Sequence, residues 1–161
     1  MDRIEREVKL REVLEEDLPI FFDHQRNPEA GRMAAFGYRE LDDKDAFYAN
    51  WAKILTGENS LARTILVDGR VAGNVLKFEF LGQTTVAYWI GKEFWGKGIG
   101  TRALALLLED VPERPVYARA AKDNHGSVRV LEKCGFILER EETNFAAARG
   151  EEIKEVIMRL D

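Results

Sequence analysis

The stretch Trp95-Gly96-Lys97-Gly98-Ile99-Gly100-Thr101 lies between an aromatic, β-type run at residues 85–90 and a helix-type run at residues 101–108. Three alternating glycines at a strand-to-helix junction form an anion cradle. Glycine lacks the Cβ that keeps a ligand off the backbone, and the next helix offers unpaired N–H groups and the positive end of its dipole. Phosphate is the guest that such a cradle suits. Two nucleotide patterns fit poorly. A dinucleotide fingerprint reads G-x-G-x-x-G with an acid about 20 residues later, and counting on from Gly100 reaches Ala120 and Ala121. A P-loop carries its lysine after the last glycine, whereas Lys97 lies between glycines.

Outward from this loop the elements follow from period and punctuation. Val8 and Leu10 alternate with Lys9 and Arg11 as an edge strand does. A first helix opens near Glu16-Asp17, tolerates Pro19 in its first turn and stops before Asn27-Pro28. Residues 28–41 read as irregular. Asp42 or Asp43 caps a second helix, in which Phe47, Trp51, Ile54 and Leu55 recur at helical spacing. Asp68-Gly69 turns a hairpin between strands at 63–67 and 70–80, and Gly82-Gln83 leads into the strand before the loop. Beyond the loop come a helix ended by Val111-Pro112, a strand at 116–121, a helix at 127–134 closed by Gly135, and strands near 137–143 and 153–160. Strands cluster in the middle and alternate with helices at the end. That order predicts a mixed α/β fold, a twisted sheet with helices on its faces.

Composition bounds the function. The 161 residues suit one domain spanning 1–161, with no repeat or linker to divide them. No apolar run approaches 18 residues and no signal-peptide pattern opens the chain, so a soluble cytoplasmic protein without a membrane partner is expected. One cysteine, Cys134, allows neither an internal disulfide nor a cysteine-rich metal site, and it reads as a small apolar helix residue. A formal charge of −5 gives no general attraction to nucleic acid. A homodimer is compatible with this composition.

A second constellation, Asn124-His125-Gly126-Ser127 running to Gly135-Phe136, follows the strand at 116–121. Together the two motifs resemble the GNAT superfamily of N-acetyltransferases. The glycine loop corresponds to that family's pyrophosphate loop, (Q/R)-x-x-G-x-(G/A), and the later segment to its N-x-x-(S/A)…G-F helix. The resemblance extends over nearly the whole chain. Tyr88-Trp89-Ile90-Gly91 followed by Phe94-Trp95-Gly96-Lys97-Gly98 looks most like the branch containing the ribosomal-protein N-terminal acetyltransferases.

The resemblance implies acetyl-CoA as co-substrate, no metal, and a mostly antiparallel sheet whose splayed parallel strand pair holds the cofactor. The pantetheine arm would pair with the edge of Tyr88, Trp89 and Ile90. Amides of Lys97, Gly98, Gly100 and Thr101 would hold the pyrophosphate, with charge from Lys97 and Arg102, and Asn124 and Ser127 would lie beside the thioester. The Ile90 amide is the implied oxyanion donor. Many family members place a tyrosine seven residues after the asparagine as the acid. This chain has Leu131 there, which shifts the role of thiolate partner to Ser127. Branch members carry a glutamate base after G-F, where the aligned position is Ala146. Glu79 is the alternative base, on the strand face shared by Val75 and Lys77. His24 and His125 complete the set. Met33, Phe36, Phe47 and Trp51 are candidate walls for the acceptor.

Acetyl transfer needs an uncharged amine. An α-amine with a pKa near 8 is about one tenth neutral at pH 7, while a lysine amine near 10.4 is neutral in roughly a thousandth of molecules or fewer. A site without a strong base therefore suits a protein N-terminus or a small amine of similar pKa. The rival expectation is a non-catalytic acyl-CoA-binding or regulatory domain. A nucleotide-linked oxidoreductase is disfavoured by the glycine spacing.

Overall fold

Two tight hairpins organise the centre of the chain. In the computed structural model, which describes residues 7–35 and 43–161, Asp68 and Gly69 take φ values of 50° and 82°, and Leu81 and Gly82 take 51° and 77°. Paired positive φ values are the turn whose twist matches that of the strands it joins. They connect β2 (Leu61–Val67), β3 (Arg70–Phe80) and β4 (Gln83–Ile90). With β1 (Val8–Glu12), β5 (Val116–Ala121), β6 (Ile137–Ala146) and β7 (Glu151–Leu160), these strands form a seven-stranded sheet in the order β1-β2-β3-β4-β5-β7-β6. Every neighbouring pair is antiparallel except β4 and β5, which are parallel.

Alternation along β4 assigns the two faces. Val86 and Ile90 belong to a core that contains Ile99, Ala103, Leu104 and Leu107 of α4 (Ile99–Glu109) and Leu131 of α5 (His125–Lys133). Ala87 and Trp89 face the other way, toward α1 (Leu18–Arg26) and α3 (Lys44–Thr56), where Phe21, Phe22, Phe47 and Trp51 form an aromatic cluster. Asp17 fixes the start of α1. Its buried carboxylate accepts from both ends of the Arg11 fork at 2.7 and 3.0 Å, from the Leu14 amide at 2.8 Å and from Thr64 Oγ1 at 2.7 Å. Burial pushes this carboxyl up, and the donors outweigh it and hold it below the usual range. Asp43 caps α3 by accepting from the Ala46 amide at 3.0 Å; Asp42 and Phe36 lie outside the described residues.

One local expectation is corrected. Residues 28–34, read as irregular, form α2 (Pro28–Ala34). Asn27 Oδ1 accepts from the Ala30 amide at 3.1 Å, and Pro28 sits at the first helical position, where its missing N–H costs nothing. Asn-Pro thus ends one helix and caps the next. The last two strands also run past the expected 137–143 and 153–160, because β6 and β7 pair from Ile137↔Arg159 to Ala146↔Glu151.

Candidate active site

The parallel pair opens where the two following helices begin. Thr85↔Tyr117 is the pairing between β4 and β5, and residues 86–90 continue along β4 without a partner on that side. The Gly91 amide donates to the Ala72 carbonyl at 2.8 Å. One residue earlier in the extended chain, the Ile90 N–H therefore faces the opposite edge, into the gap. The Ile90 carbonyl shares that edge and accepts from Trp95 Nε1 at 2.8 Å, which ties the glycine loop to the strand end. Tyr88, two residues back, presents its backbone to the same edge.

The loop carries the geometry that its glycines permit. Gly96 and Gly98 have φ values of 73° and 75°, and a Cβ at either would meet nothing within 4 Å. Gly98 is the left-handed N-cap of α4, whose first ladder bond runs from Arg102 N to Gly98 O at 3.2 Å. The amides before it, Ile99, Gly100 and Thr101, are the first-turn donors with no partner inside the helix. Lys97 turns back: its Nζ donates to the Glu93 carbonyl at 2.9 Å and lies 5.9 Å from the Phe94 ring centroid. Arg102 is exposed on the first turn of α4.

Opposite, Asn124 caps α5. Its Oδ1 accepts from the Ser127 amide at 3.2 Å and its Nδ2 donates to the Met33 carbonyl at 3.2 Å, so α2 and α5 are held together at the mouth of the gap. Arg149 reinforces this contact, with a fork on Asp123 at 2.6 and 2.9 Å and its Nε on the Arg32 carbonyl at 2.9 Å. Met33 therefore enters through its backbone. Ser127 Oγ lies 3.2 Å from the Tyr88 hydroxyl. Burial pushes the Tyr88 phenol up, and the contact with Ser127 opposes that rise in part.

On the other face of β4 is a cleft of about 160 Å³ lined by Phe21, Gln25, Phe47, Trp51, Asn74 and Trp89, among others. It is comparable to an apolar cavity of about 150 Å³ that accepts benzene. His24 borders the same strand end, and a Cβ on Gly91 would sit 2.7 Å from its Nε2. Desolvation lowers the His24 pKa, with Glu93 and Asp23 opposing the shift. His125 is exposed at the start of α5.

The structure thus brings together Tyr88, Ile90, Gly98, Gly100, Thr101, Asn124 and Ser127, and it leaves two expected residues apart: Trp89, whose backbone carbonyl faces Gly73 of β3 and whose side chain lines the cleft on the other face of the sheet, and Glu79. Glu79 pairs with Thr84 while Ile90 pairs with Gly73, six residues away along β3. At about 3.3 Å per residue that separation is roughly 20 Å. Glu79 is exposed and meets Asn59 Nδ2 at 3.5 Å. Leu131 and Ala146 are filled by packing. Leu131 is 2% exposed in the main core and Ala146 is fully buried against Ala35 and Ala121. The Tyr88–Ser127 contact and the Arg149 clamp were not foreseen from sequence. Only the first left a trace there, because Tyr88 shares the parity of Val86 and Ile90 and so must face α4 and α5.

Residues 7–137 match the family profile described as Acetyltransferase (GNAT) domain. The chain belongs to this family. It is 31% identical over 104 residues to YdaF of Bacillus subtilis (strain 168), which is provisionally named a ribosomal N-acetyltransferase; the match spans 60% of this chain and 56% of that protein. Among solved structures, RimL, a ribosomal L7/L12 α-N-protein acetyltransferase in complex with coenzyme A, superposes with a TM-score of 0.77 at 17% identity, covering 95% of this chain and 93% of the other. The microcin C7 self-immunity acetyltransferase MccE, in complex with acetyl-CoA and AMP, gives 0.76 at 18% identity, covering 96% and 92%. At these identities the structures establish the GNAT fold. No helix among the described residues is long and apolar enough to cross a membrane.

Proposed function

We propose that the protein is an acetyl-CoA-dependent N-acetyltransferase that moves the acetyl group to a primary amine, either the N-terminus of a protein or a small amine, by direct attack in a ternary complex. The observation that carries this reading is the junction of a partnerless β4 edge, with the Ile90 N–H facing the gap, and a glycine loop that opens α4 with unpaired amides. Both features fit acetyl-CoA. An extended pantetheine arm can add to a free strand edge through main-chain bonds, and a pyrophosphate suits a helix N-terminus approached through open glycines. Each helix-terminus charge interaction contributes only about 0.3–1 kcal/mol when exposed, so the amides of Gly98, Gly100 and Thr101 must act together. Arg102 would add charge, and Lys97 would have to release the Glu93 carbonyl to do the same.

For the chemistry, Ile90 N–H would stabilise the oxyanion, and Ser127 would face the departing sulfur. A thiol with a pKa near 8.5 leaves readily as thiolate near neutral pH. With Glu79 about 20 Å away along the sheet and Leu131 and Ala146 in the core, positioning carries more of the rate than a side-chain base. An α-amine acceptor fits such a site. The aromatic cleft beside Trp89 is the proposed seat for the acceptor, and the relatives named for ribosomal proteins support a protein N-terminus. The same two buried positions favour a second reading, an acyl-CoA-binding domain without turnover.

Acetyl-CoA at 100 times its dissociation constant is expected to add about 2.7 kcal/mol of stability, a rise in Tm of roughly 5–10 °C for a chain of this size. NADH and ATP should shift it far less. A thermal melt that does not move with millimolar acetyl-CoA overturns the cofactor assignment.

A further inference from the structure

Ser127 is held from two sides. Its amide is pinned by Asn124 Oδ1, itself tied to Met33, and its Oγ lies 3.2 Å from the Tyr88 hydroxyl. The Tyr88 ring is fixed in turn. It shares the face of Val86 and Ile90, and it packs beside Gly100, where a Cβ would lie in ordinary contact, 3.4 Å from the ring and 3.5 Å from Val130. A serine hydroxyl carries one proton that swings to suit its surroundings, while a phenol is a good donor. Burial pushes the Tyr88 phenol up, so it keeps its proton across the working range. When the phenol donates to Oγ, the serine's proton must point elsewhere, and it is free to serve a group bound against the β4 edge that Tyr88 shares with Ile90.

We propose that Tyr88 is a positioning residue for acyl transfer, donating to Ser127 Oγ so that the serine's own O–H is aimed at the sulfur that leaves. This rests on the acetyltransferase reading. The amine lone pair forms the new C–N bond, and the C–S bond breaks with its electron pair going to sulfur. The ammonium proton goes to water. The thiolate, stabilised by the Ser127 hydrogen bond, takes a proton from solvent. Tyr88 and Ser127 keep their protons throughout, so neither needs an unusual acidity. A rotor held in one orientation donates at the moment charge develops, whereas a free rotor must reorient first.

The test is a double-mutant cycle on the full chain with acetyl-CoA and a free-amine acceptor that the parent protein acetylates. Tyr88→Phe keeps the ring, and it is expected to lower kcat about fivefold to tenfold while KM for acetyl-CoA and its calorimetric Kd stay within about twofold. Ser127→Ala is expected to cost about tenfold to a hundredfold, and adding Tyr88→Phe to it should cost nothing more. Full kcat in Tyr88→Phe, multiplying effects in the double variant, or a Kd that rises while kcat holds each overturns the proposal. A fluorinated tyrosine at 88 preserves the packing and lowers the phenol pKa. It should introduce a fall in kcat at alkaline pH that the parent lacks, and an unchanged profile overturns the proposal whatever Tyr88→Phe does to folding. If the unaltered protein transfers no acetyl group, the acetyltransferase reading falls as well. If it transfers normally and only the cycle fails, the role of Tyr88 alone is lost.

Discussion

Replacing Gly100 by valine is expected to weaken acetyl-CoA binding about 100-fold, or close to 2.8 kcal/mol. Gly100 is in the first turn of α4, where amides lack helical partners. A single Cβ there meets Tyr88 Cε2 at 3.4 Å and Val130 Cγ2 at 3.5 Å, which is ordinary contact. The two further methyls of valine exceed that room on one side and cover the amides on the other. Overpacking costs about 1–3 kcal/mol of folding stability, which leaves the variant folded and assayable. Gly100→Ala, which fits the space, should lose no more than about tenfold. Titration calorimetry on the folded valine variant decides the matter. Unchanged affinity would move the pyrophosphate to another part of the surface.

Gly73→Ala is expected to destabilise the fold by about 3 kcal/mol, at the upper end of overpacking. The added Cβ would lie 2.0 Å from the Trp89 carbonyl oxygen, 3.0 Å from its carbon and 3.1 Å from Ile90 Cα. All three are backbone atoms of the strand that presents the Ile90 N–H. No rotamer change relieves the clash, so β4 itself must shift. Urea denaturation should show the loss with an unchanged slope, and acetyl transfer should fall below what the stability loss explains, because the Ile90 N–H, the proposed oxyanion donor, moves with the strand. An alanine variant with parental stability and parental turnover would mean that this close approach of β3 and β4 does not hold the site.

What could be read in advance was local. Hairpin turns, the α3 cap at Asp43 and the glycine loop each depend on a few adjacent residues, and all appear where punctuation and period put them. Residues 28–34 were missed because Asn27-Pro28 carries two meanings, a stop for α1 and a cap plus first position for α2, and only packing selects between them. The parity of Glu79 was accessible, but its distance from Ile90 depends on the hairpin register. That register is set by Leu81-Gly82, which pairs Glu79 with Thr84 and Gly73 with Ile90. The neighbours of Tyr88 were beyond local reading. Its partner Ser127 is 39 residues further on, brought to it by the crossover through α4 and β5. Leu131 and Ala146 raised a question about acid and base that sequence left open. Their burial explains the absence of polar groups, since each fills a core contact instead of lining the gap.

The most direct test mixes the protein with acetyl-CoA and a panel of N-terminal peptides and small amines, and follows thiol release and acetylated amine together over a range of pH. The expected result is one amide formed per thiol released. For two acceptors of different amine pKa, kcat/KM should rise with pH and level near each acceptor's own pKa, because deprotonation of the acceptor supplies the nucleophile. Acetyl-CoA binding without turnover of any acceptor would contradict the account in favour of a non-catalytic binding domain. A profile that ignores the acceptor and breaks at about pH 6–7 would instead place a histidine or a raised carboxylate at its centre as base.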